Sequence, residues 1–286
     1  MMGFVHSLHL HNAAVDILRL CLWLVILSTI FAPLERLFYL RHQNLLRRQI
    51  RQDLFYYFFN SLFVSAILSL PVALVGWIAR KLMPEDLVGW ATIMPVWMLI
   101  AVSFVVAEIG IYWGHRWSHE VPFLWQFHSV HHSAEEIDFL VNTRAHPLDM
   151  VFTRFCAIVP LFVLGLAGPT SGAGGSSMPV LITLAGTTWG FFIHSNVRWR
   201  LGPLEWLVSS PMFHHWHHTK TGPIDHNYAA NLPWVDRMFG THYSSEQWPD
   251  SYGIEAQMPD SIVGQLLYPL NGQDETASSQ QAQVDA

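Results

Sequence analysis

The sequence predicts an all-α integral membrane protein with about four to five transmembrane or re-entrant helices and a histidine-rich helical cap on the cytoplasmic face. Of the 286 residues, 51% are hydrophobic and only 13% are charged, about half the charged share of a soluble domain. Several apolar runs also approach the roughly 20 residues that a helix needs to cross a bilayer. The same composition excludes a disordered chain. A net charge of −6 excludes a nucleic-acid binder that relies on broad phosphate neutralisation.

Three apolar runs predict membrane-spanning helices, over residues 13–32, 54–79 and 95–113. Two further runs, over residues 150–166 and 178–193, flank a turn rich in glycine, serine and proline. Each of these two is slightly short for a full span. We therefore expect a hairpin that is either transmembrane or re-entrant.

Arginines in the loop between the first two spans orient the chain. They are Arg36, Arg41, Arg47, Arg48 and Arg51. Cytoplasmic loops carry an excess of basic residues, so we expect this loop on the cytoplasmic side. Following the spans from there places the histidine-rich segments 115–146 and 194–226 on that side too. The placement follows from the arginines alone, so the common side of the histidines is an independent result.

Histidine is unusually frequent for a chain so poor in charge, with 17 residues. Three motifs contain the histidines whose spacing is informative: HRWSH (His115, His119), HSVHH (His128, His131, His132) and HHWHH (His214, His217, His218). The first has the i, i+4 spacing that places two imidazoles on one helix face. The other two repeat the same H-x-x-H-H spacing, which is difficult to explain without a shared ligand.

These eight histidines are too many for one metal ion and suit two. Imidazole is a ligand for zinc, copper, iron and nickel. Apolar helices beneath the motifs favour redox chemistry on a lipid, which zinc does not support because it has no redox chemistry. Carboxylate-bridged di-iron bundles use a Glu-x-x-His pattern, and that pattern is absent here.

The three motifs resemble those of the fatty acid hydroxylase / sterol desaturase superfamily of membrane di-iron oxygenases. RAHPLD (144–149), FIHSN (191–196) and HNYAANLPWVDRMFGTH (226–242) resemble further segments of that family. The resemblance covers residues 102–242, and Ala229 departs from it by standing where the family has glycine. It divides the chain into an N-terminal transmembrane region (1–94), a hydroxylase-like di-metal domain (95–248) and a C-terminal extension (249–286), which we expect to be disordered near its end.

The resemblance implies the chemistry of the site. It implies O₂-dependent hydroxylation or desaturation of a fatty acyl, sterol-like or other membrane lipid, with two Fe ions, O₂ as co-substrate and electrons from a separate electron-transfer protein. The implied ligands are His115, His119, His128, His131, His132, His214, His217 and His218, with His194 and His146 as further candidates. No catalytic group beyond the ligands is expected.

Two of the candidate ligands have structural alternatives. His194 could be a helix-end histidine bonded to a carbonyl, and His146 a turn residue before Pro147. Six polar side chains are candidate hydrogen-bond partners of ligand N–H groups. They are Glu108, Asp138, Asp149, Asp225, Asn227 and Asp236.

Three rival functions remain open at this point. The same site could cleave an ether lipid or an aldehyde. A membrane metal or haem carrier is disfavoured, because a carrier would place polar residues along its spans. A non-catalytic scaffold is disfavoured by the intact motifs.

Overall fold

A computed structural model describes residues 2–82, 89–168 and 175–271. Within these ranges the chain is helical, with no β-strand and only isolated bridges between extended segments. The α-helices are α1 (Met2–Leu37), α2 (Ile50–Leu82), α3 (Val96–Glu120), α4 (Pro122–His132), α5 (Pro147–Val163), α6 (Met178–His194), α7 (Pro211–His217), α8 (Trp234–Phe239) and α9 (Ile262–Asn271). The all-α prediction is confirmed.

Within the described ranges, four helical stretches are long and apolar enough to cross a membrane. They are Ala13–Leu37, Ile50–Leu82, Val96–Glu120 and Gly175–His194. The three predicted spans and the returning arm of the hairpin are thus confirmed as candidates. The outgoing arm, α5, has 17 residues and a length of about 25 Å, less than a ~30 Å hydrocarbon core. The tip of the predicted turn, residues 169–174, lies outside the described residues.

The histidine motifs gather at one end of the helices. That end contains the C-termini of α3 and α6, the N-terminus of α5, and the short helices α4 and α7. The common location predicted for the motifs is therefore present in the fold. Its assignment to the cytoplasmic side, like the domain boundaries after residues 94 and 248, stays a prediction.

The C-terminal extension contains a helix that the sequence analysis missed. α9 packs against α4, beside the histidine motifs. The disorder predicted near the end of the extension falls on residues 272–286, outside the described residues.

Two glycines let α3 approach α5 closely. A Cβ built on Gly110 would lie 2.2 Å from the carbonyl oxygen of Cys156, and one on Gly114 would lie 2.9 Å from the Cys156 Cβ. Small residues four positions apart permit such backbone contact between membrane helices. This contact holds the end of α3, with its two histidines, against the start of α5.

Gly110→Ala is expected to destabilise the protein by about 1–3 kcal/mol, because the new methyl group overlaps a backbone atom that cannot rotate away. The measurement is thermal unfolding in detergent. Gly186→Ala is the matched control, since its Cβ would meet only the Asn231 Nδ2 atom at 3.8 Å. Equal unfolding temperatures for the two variants would contradict the close packing of α3 on α5.

A buried ionic network braces the histidine end of the helices. The Arg47 guanidinium donates to both carboxylate oxygens of Asp138, with both contacts at 2.7 Å. Asp53 accepts from Arg47 and from the fully buried Arg144. The network joins the loop before α2 to the segment between α4 and α5. It thereby fixes the backbone of Arg144, whose carbonyl contacts a histidine of the site.

Candidate metal centre

Nine buried histidines form two groups that could each hold a metal ion. In each group, one ring nitrogen from every member lies within 4.8 Å of those of the other members. The five-histidine group is His115, His119, His128, His132 and His217; the four-histidine group is His131, His194, His214 and His218.

Helical geometry explains why the H-x-x-H-H spacing occurs twice. In α4, His128 and His132 are four residues apart and belong to the five-histidine group, while His131 faces the four-histidine group. The motif that begins in α7 does the reverse: His214 and His218 belong to the four-histidine group and His217 to the other. Each motif therefore contributes a pair of imidazoles to one group and a single imidazole to the other.

Most of the histidines are oriented by a hydrogen bond from Nδ1. Its acceptors are backbone carbonyls or carboxylates, which accept only from a protonated ring nitrogen. The pairs are His115 with the Tyr228 carbonyl (2.6 Å), His119 with Asp225 (3.1 Å), His128 with Asp149 (3.0 Å), His131 with the Arg144 carbonyl (2.8 Å), His194 with the Gly190 carbonyl (2.7 Å) and His217 with the His226 carbonyl (2.9 Å). In the neutral ring the Nε2 atom is then unprotonated, and its lone pair is available to a metal.

The Nε2 atoms approach one another too closely for bare lone pairs. The Nε2 atoms of His115 and His128 are 3.1 Å apart, and those of His131 and His194 are 3.3 Å apart. Since all four rings donate through Nδ1, neither contact is a hydrogen bond between neutral rings. A spacing of about 3 Å is that of adjacent ligands around an ion with metal–nitrogen distances of about 2.1 Å. The donor atoms therefore fit two metal ions.

Electrostatics favour the neutral, metal-binding form of the rings. Burial and the neighbouring His128 lower the pKa of His131 to about 3. Burial also lowers the pKa of His214, His217 and His218 well below the usual histidine value. Neutral imidazole is the form that ligates metals. A group of five nitrogens exceeds the four ligands usual at a structural zinc site, and imidazole also suits iron.

The structure brings together nine of the ten histidines proposed as ligands. His146 is the exception, because both of its ring nitrogens have other partners. Its Nδ1 accepts from the Leu148 N–H at the start of α5, and its Nε2 lies 3.2 Å from the Leu266 carbonyl of α9. Its position matches the alternative of a turn residue before Pro147. His215 also lies outside both groups, with its Nδ1 2.7 Å from the Tyr252 hydroxyl.

Two of the six candidate polar partners contact a histidine of the groups, Asp149 and Asp225. The other four bind elsewhere. Glu108 accepts from the Asn231 and Leu232 N–H groups, and Asp138 pairs with Arg47. Asn227 donates to the Phe213 and Tyr243 carbonyls, while Asp236 accepts from the Tyr228 and Ala229 N–H groups. Glu108, Asn227 and Asp236 therefore satisfy backbone groups near the histidine motifs, whereas Asp138 pairs with a guanidinium.

Sequence reasoning missed the acceptors that belong to the backbone. Four of the six Nδ1 acceptors are carbonyls, on Arg144, Gly190, His226 and Tyr228. Every residue has a backbone carbonyl, so no residue type in the sequence indicates which carbonyl is the acceptor. The departure at Ala229 has a simple account: among the described non-glycine residues only Asp225 and Asn227 have positive φ. Ala229 therefore does not occupy a conformation that requires glycine.

An apolar cavity of about 680 Å³ lies between the helices. It is lined by residues of α1, α2, α5 and α6, among them Trp23, Leu27, Ile158 and Phe191. Its lining also includes Ile111, one helical turn before His115. The cavity therefore reaches within about one helical turn of a histidine of the five-histidine group.

Asp149→Asn is expected to weaken metal binding by about 10–100-fold, the effect usual for losing a partner of a ligating histidine. Asp149 is buried, and it accepts from His128 and from the Ser118 hydroxyl. The measurement is a chelator competition on purified protein. Asp225→Asn is the matched comparison: the Asp225 side chain is 47% exposed, so water can replace it and the loss is expected to be smaller. Equal metal affinity in wild type and Asp149→Asn would contradict this role.

The chain is similar to known lipid-modifying enzymes. Residues 100–241 match the fatty acid hydroxylase family model. An ornithine lipid hydroxylase from Rhizobium tropici is 31% identical over 209 residues, which are 71% of this chain and 59% of that protein. An alkylglycerol monooxygenase from Xenopus tropicalis is 30% identical over 54% of this chain and 32% of its own. A very-long-chain aldehyde decarbonylase from Oryza sativa is 28% identical over 60% of this chain and 63% of its own.

The chain thus spans about three fifths of the hydroxylase and a third of the monooxygenase. No solved structure matches the chain.

Proposed function

Because the chain belongs to the fatty acid hydroxylase / sterol desaturase superfamily, we propose that it is a membrane-bound di-iron enzyme that hydroxylates or desaturates a lipid with O₂. The observation that carries the proposal is the pair of buried histidine groups, beside an apolar cavity whose lining includes residues one helical turn from a histidine of each group. Nitrogen ligands suit iron. The similarity to an ornithine lipid hydroxylase favours hydroxylation over desaturation.

The nine histidines would hold the two irons. Iron bound there would supply the redox chemistry that activates O₂, which zinc lacks. The protein's part is to keep the Nε2 atoms of six of these histidines aimed at the ions. It does so through the Nδ1 hydrogen bonds to Asp149, Asp225 and the four carbonyls, which fix the ring orientation.

The cavity would hold the lipid chain and exclude water from the site. Its lining contains residues within one helical turn of a ligand in each group: Ile111 precedes His115, and Phe191 precedes His194. A C–H bond of a lipid in this cavity would therefore lie near both groups. Hydroxylation consumes R–H, O₂, two electrons and two protons, and yields R–OH and water. We propose that a separate electron-transfer protein supplies the electrons.

A second candidate function uses the same metal site for a different reaction. The similarity to an alkylglycerol monooxygenase and to an aldehyde decarbonylase favours cleavage of an ether lipid or an aldehyde as the alternative reaction. The carrier alternative is disfavoured, because the nine buried histidines gather at one end of the helices instead of following a path across the membrane.

The test is turnover of membrane lipids by iron-loaded protein in nanodiscs, with a chemical reductant and heavy-isotope O₂. Mass spectrometry of the extracted lipids is expected to show a product that carries one heavy oxygen atom. A product lacking two hydrogens and any label would indicate desaturation, and an aldehyde would indicate ether cleavage. No O₂-dependent product from the iron-loaded protein would contradict the proposal.

A further inference from the structure

The cavity contains a charged residue that the site does not explain. Arg154 lies on α5 and is the only charged side chain among the described residues that line the cavity. It is half-buried, and it forms no hydrogen bond, ion pair or cation–π contact with any described residue. The other arginines near the histidine end differ: Arg47 and Arg144 each form a buried ion pair with a carboxylate.

No acidic side chain of the neighbouring helices is free to pair with Arg154. Asp149 already accepts from His128 and Ser118. Glu108 already accepts from the Asn231 side chain and from two backbone N–H groups. An unpaired guanidinium in an apolar cavity is costly, and such a residue indicates a functional site. A ligand that brings its own negative charge would remove the cost.

Arg154 lies on the same helix as a partner of a ligand histidine. Asp149, five residues earlier on α5, touches a ligand histidine. Five residues of helix correspond to about 7–8 Å along its axis. A group bound by Arg154 would therefore lie about 1.4 helical turns beyond Asp149, and the attached hydrocarbon would occupy the apolar remainder of the cavity.

We propose that Arg154 binds the anionic group, a carboxylate or a phosphate, of the lipid whose chain fills this cavity. The planar guanidinium matches both oxyanions, because it can donate two parallel N–H bonds. The inference deepens the proposed function by naming the substrate class: an amphiphile with an anionic head rather than a neutral sterol or hydrocarbon. It rests on the proposed function only for the statement that the bound lipid is oxidised.

Binding can be measured without turnover. The full chain is purified in a neutral detergent, and the affinities of palmitate, hexadecyl phosphate and methyl palmitate are obtained by competition with radiolabelled palmitate. The wild type is expected to bind the two anions about tenfold more tightly than the ester, the effect of one charge-assisted hydrogen bond. Arg154→Gln is expected to erase this preference, and Arg154→Lys to retain part of it.

Two controls test whether the preference for anions comes from Arg154 and from a lipid ligand. Arg48→Gln should keep the full preference, because Arg48 is an exposed residue paired with Asp260, outside this cavity. Inorganic phosphate should displace little palmitate. Displacement by phosphate as effective as that by hexadecyl phosphate would overturn the assignment to a lipid. Equal affinities of the wild type for palmitate and methyl palmitate would overturn the inference even if Arg154→Gln failed to fold.

The two proposals fail in different ways. An anion preference that depends on Arg154, with no O₂-dependent product from any anionic lipid, would leave the binding site standing and contradict the oxygenase function. Oxidation of neutral lipids that Arg154→Gln does not slow would support the oxygenase function and overturn the role of Arg154.

Discussion

Replacing His217 or His131 by alanine is expected to lower lipid oxidation by at least about a thousandfold, because each variant removes a ligand from a different group. His217 belongs to the five-histidine group and His131 to the four-histidine group, so the two variants test the groups separately. The measurement is the initial rate of product formation by iron-loaded protein. The double variant is expected to be no worse than either single variant, because residues that act as one unit are not additive.

His146→Ala is the matched control for these variants. It removes a buried histidine that caps α5 but contributes to neither group. Its expected cost is about 1 kcal/mol of stability, that of losing a helix cap, with most of the oxidation rate retained. A rate as low as that of His131→Ala would contradict the placement of His146 and restore it as a ligand.

Asp53→Asn is expected to destabilise the protein by about 3–5 kcal/mol, the cost of leaving buried charges without their partner. Asp53 is fully buried and is the carboxylate shared by Arg47 and Arg144. Its loss leaves Arg144 with a hydroxyl and a carbonyl as its remaining acceptors. The measurement is the free energy of unfolding from denaturant titration in mixed micelles.

The exposed pair between Arg48 and Asp260 provides the comparison. Both side chains are more than two thirds exposed, so Asp260→Asn is expected to cost less than about 1 kcal/mol. Metal affinity should also fall in Asp53→Asn, because the network fixes the Arg144 carbonyl that accepts from His131. Similar unfolding free energies for the two variants would show that the buried network does not brace the site.

The parts of this account that depend on local spacing could be predicted from the sequence. Apolar runs define spans because a helix must satisfy its backbone within the bilayer. The i, i+4 spacing of His115 and His119 places two rings on one face whatever the tertiary structure. For the same reason the H-x-x-H-H motifs indicated a shared metal site before the fold was known.

The parts that depend on contacts between distant segments could not be predicted. The spacing alone does not show that His131 joins His194 and His214 instead of its neighbour His132. That division arises because the His131 ring contacts His194 at the end of α6 and His218 just after α7. His146 has the same residue type and lies among the motifs, yet α9 and the start of α5 occupy its ring nitrogens. Sequence patterns do not contain these partners.

The same limit applies to α5. Asp149 and Arg154 are both charged residues near one end of an apolar helix, and the sequence favoured only the first as functional. The structure distinguishes them by their surroundings: Asp149 is bonded to two polar side chains, while Arg154 faces the apolar cavity without a partner among the described residues. Burial and partners, not residue type, separate a positioning carboxylate from a candidate binding cation.

The metal content of the purified protein tests the central claim most directly. Iron-supplemented wild type is analysed by elemental analysis and Mössbauer spectroscopy, beside the His217→Ala and His131→Ala variants. The account predicts two non-haem irons per chain, one for each histidine group, and a loss of iron in each variant. A single ion, a haem, or iron unaffected by both substitutions would contradict the di-iron centre.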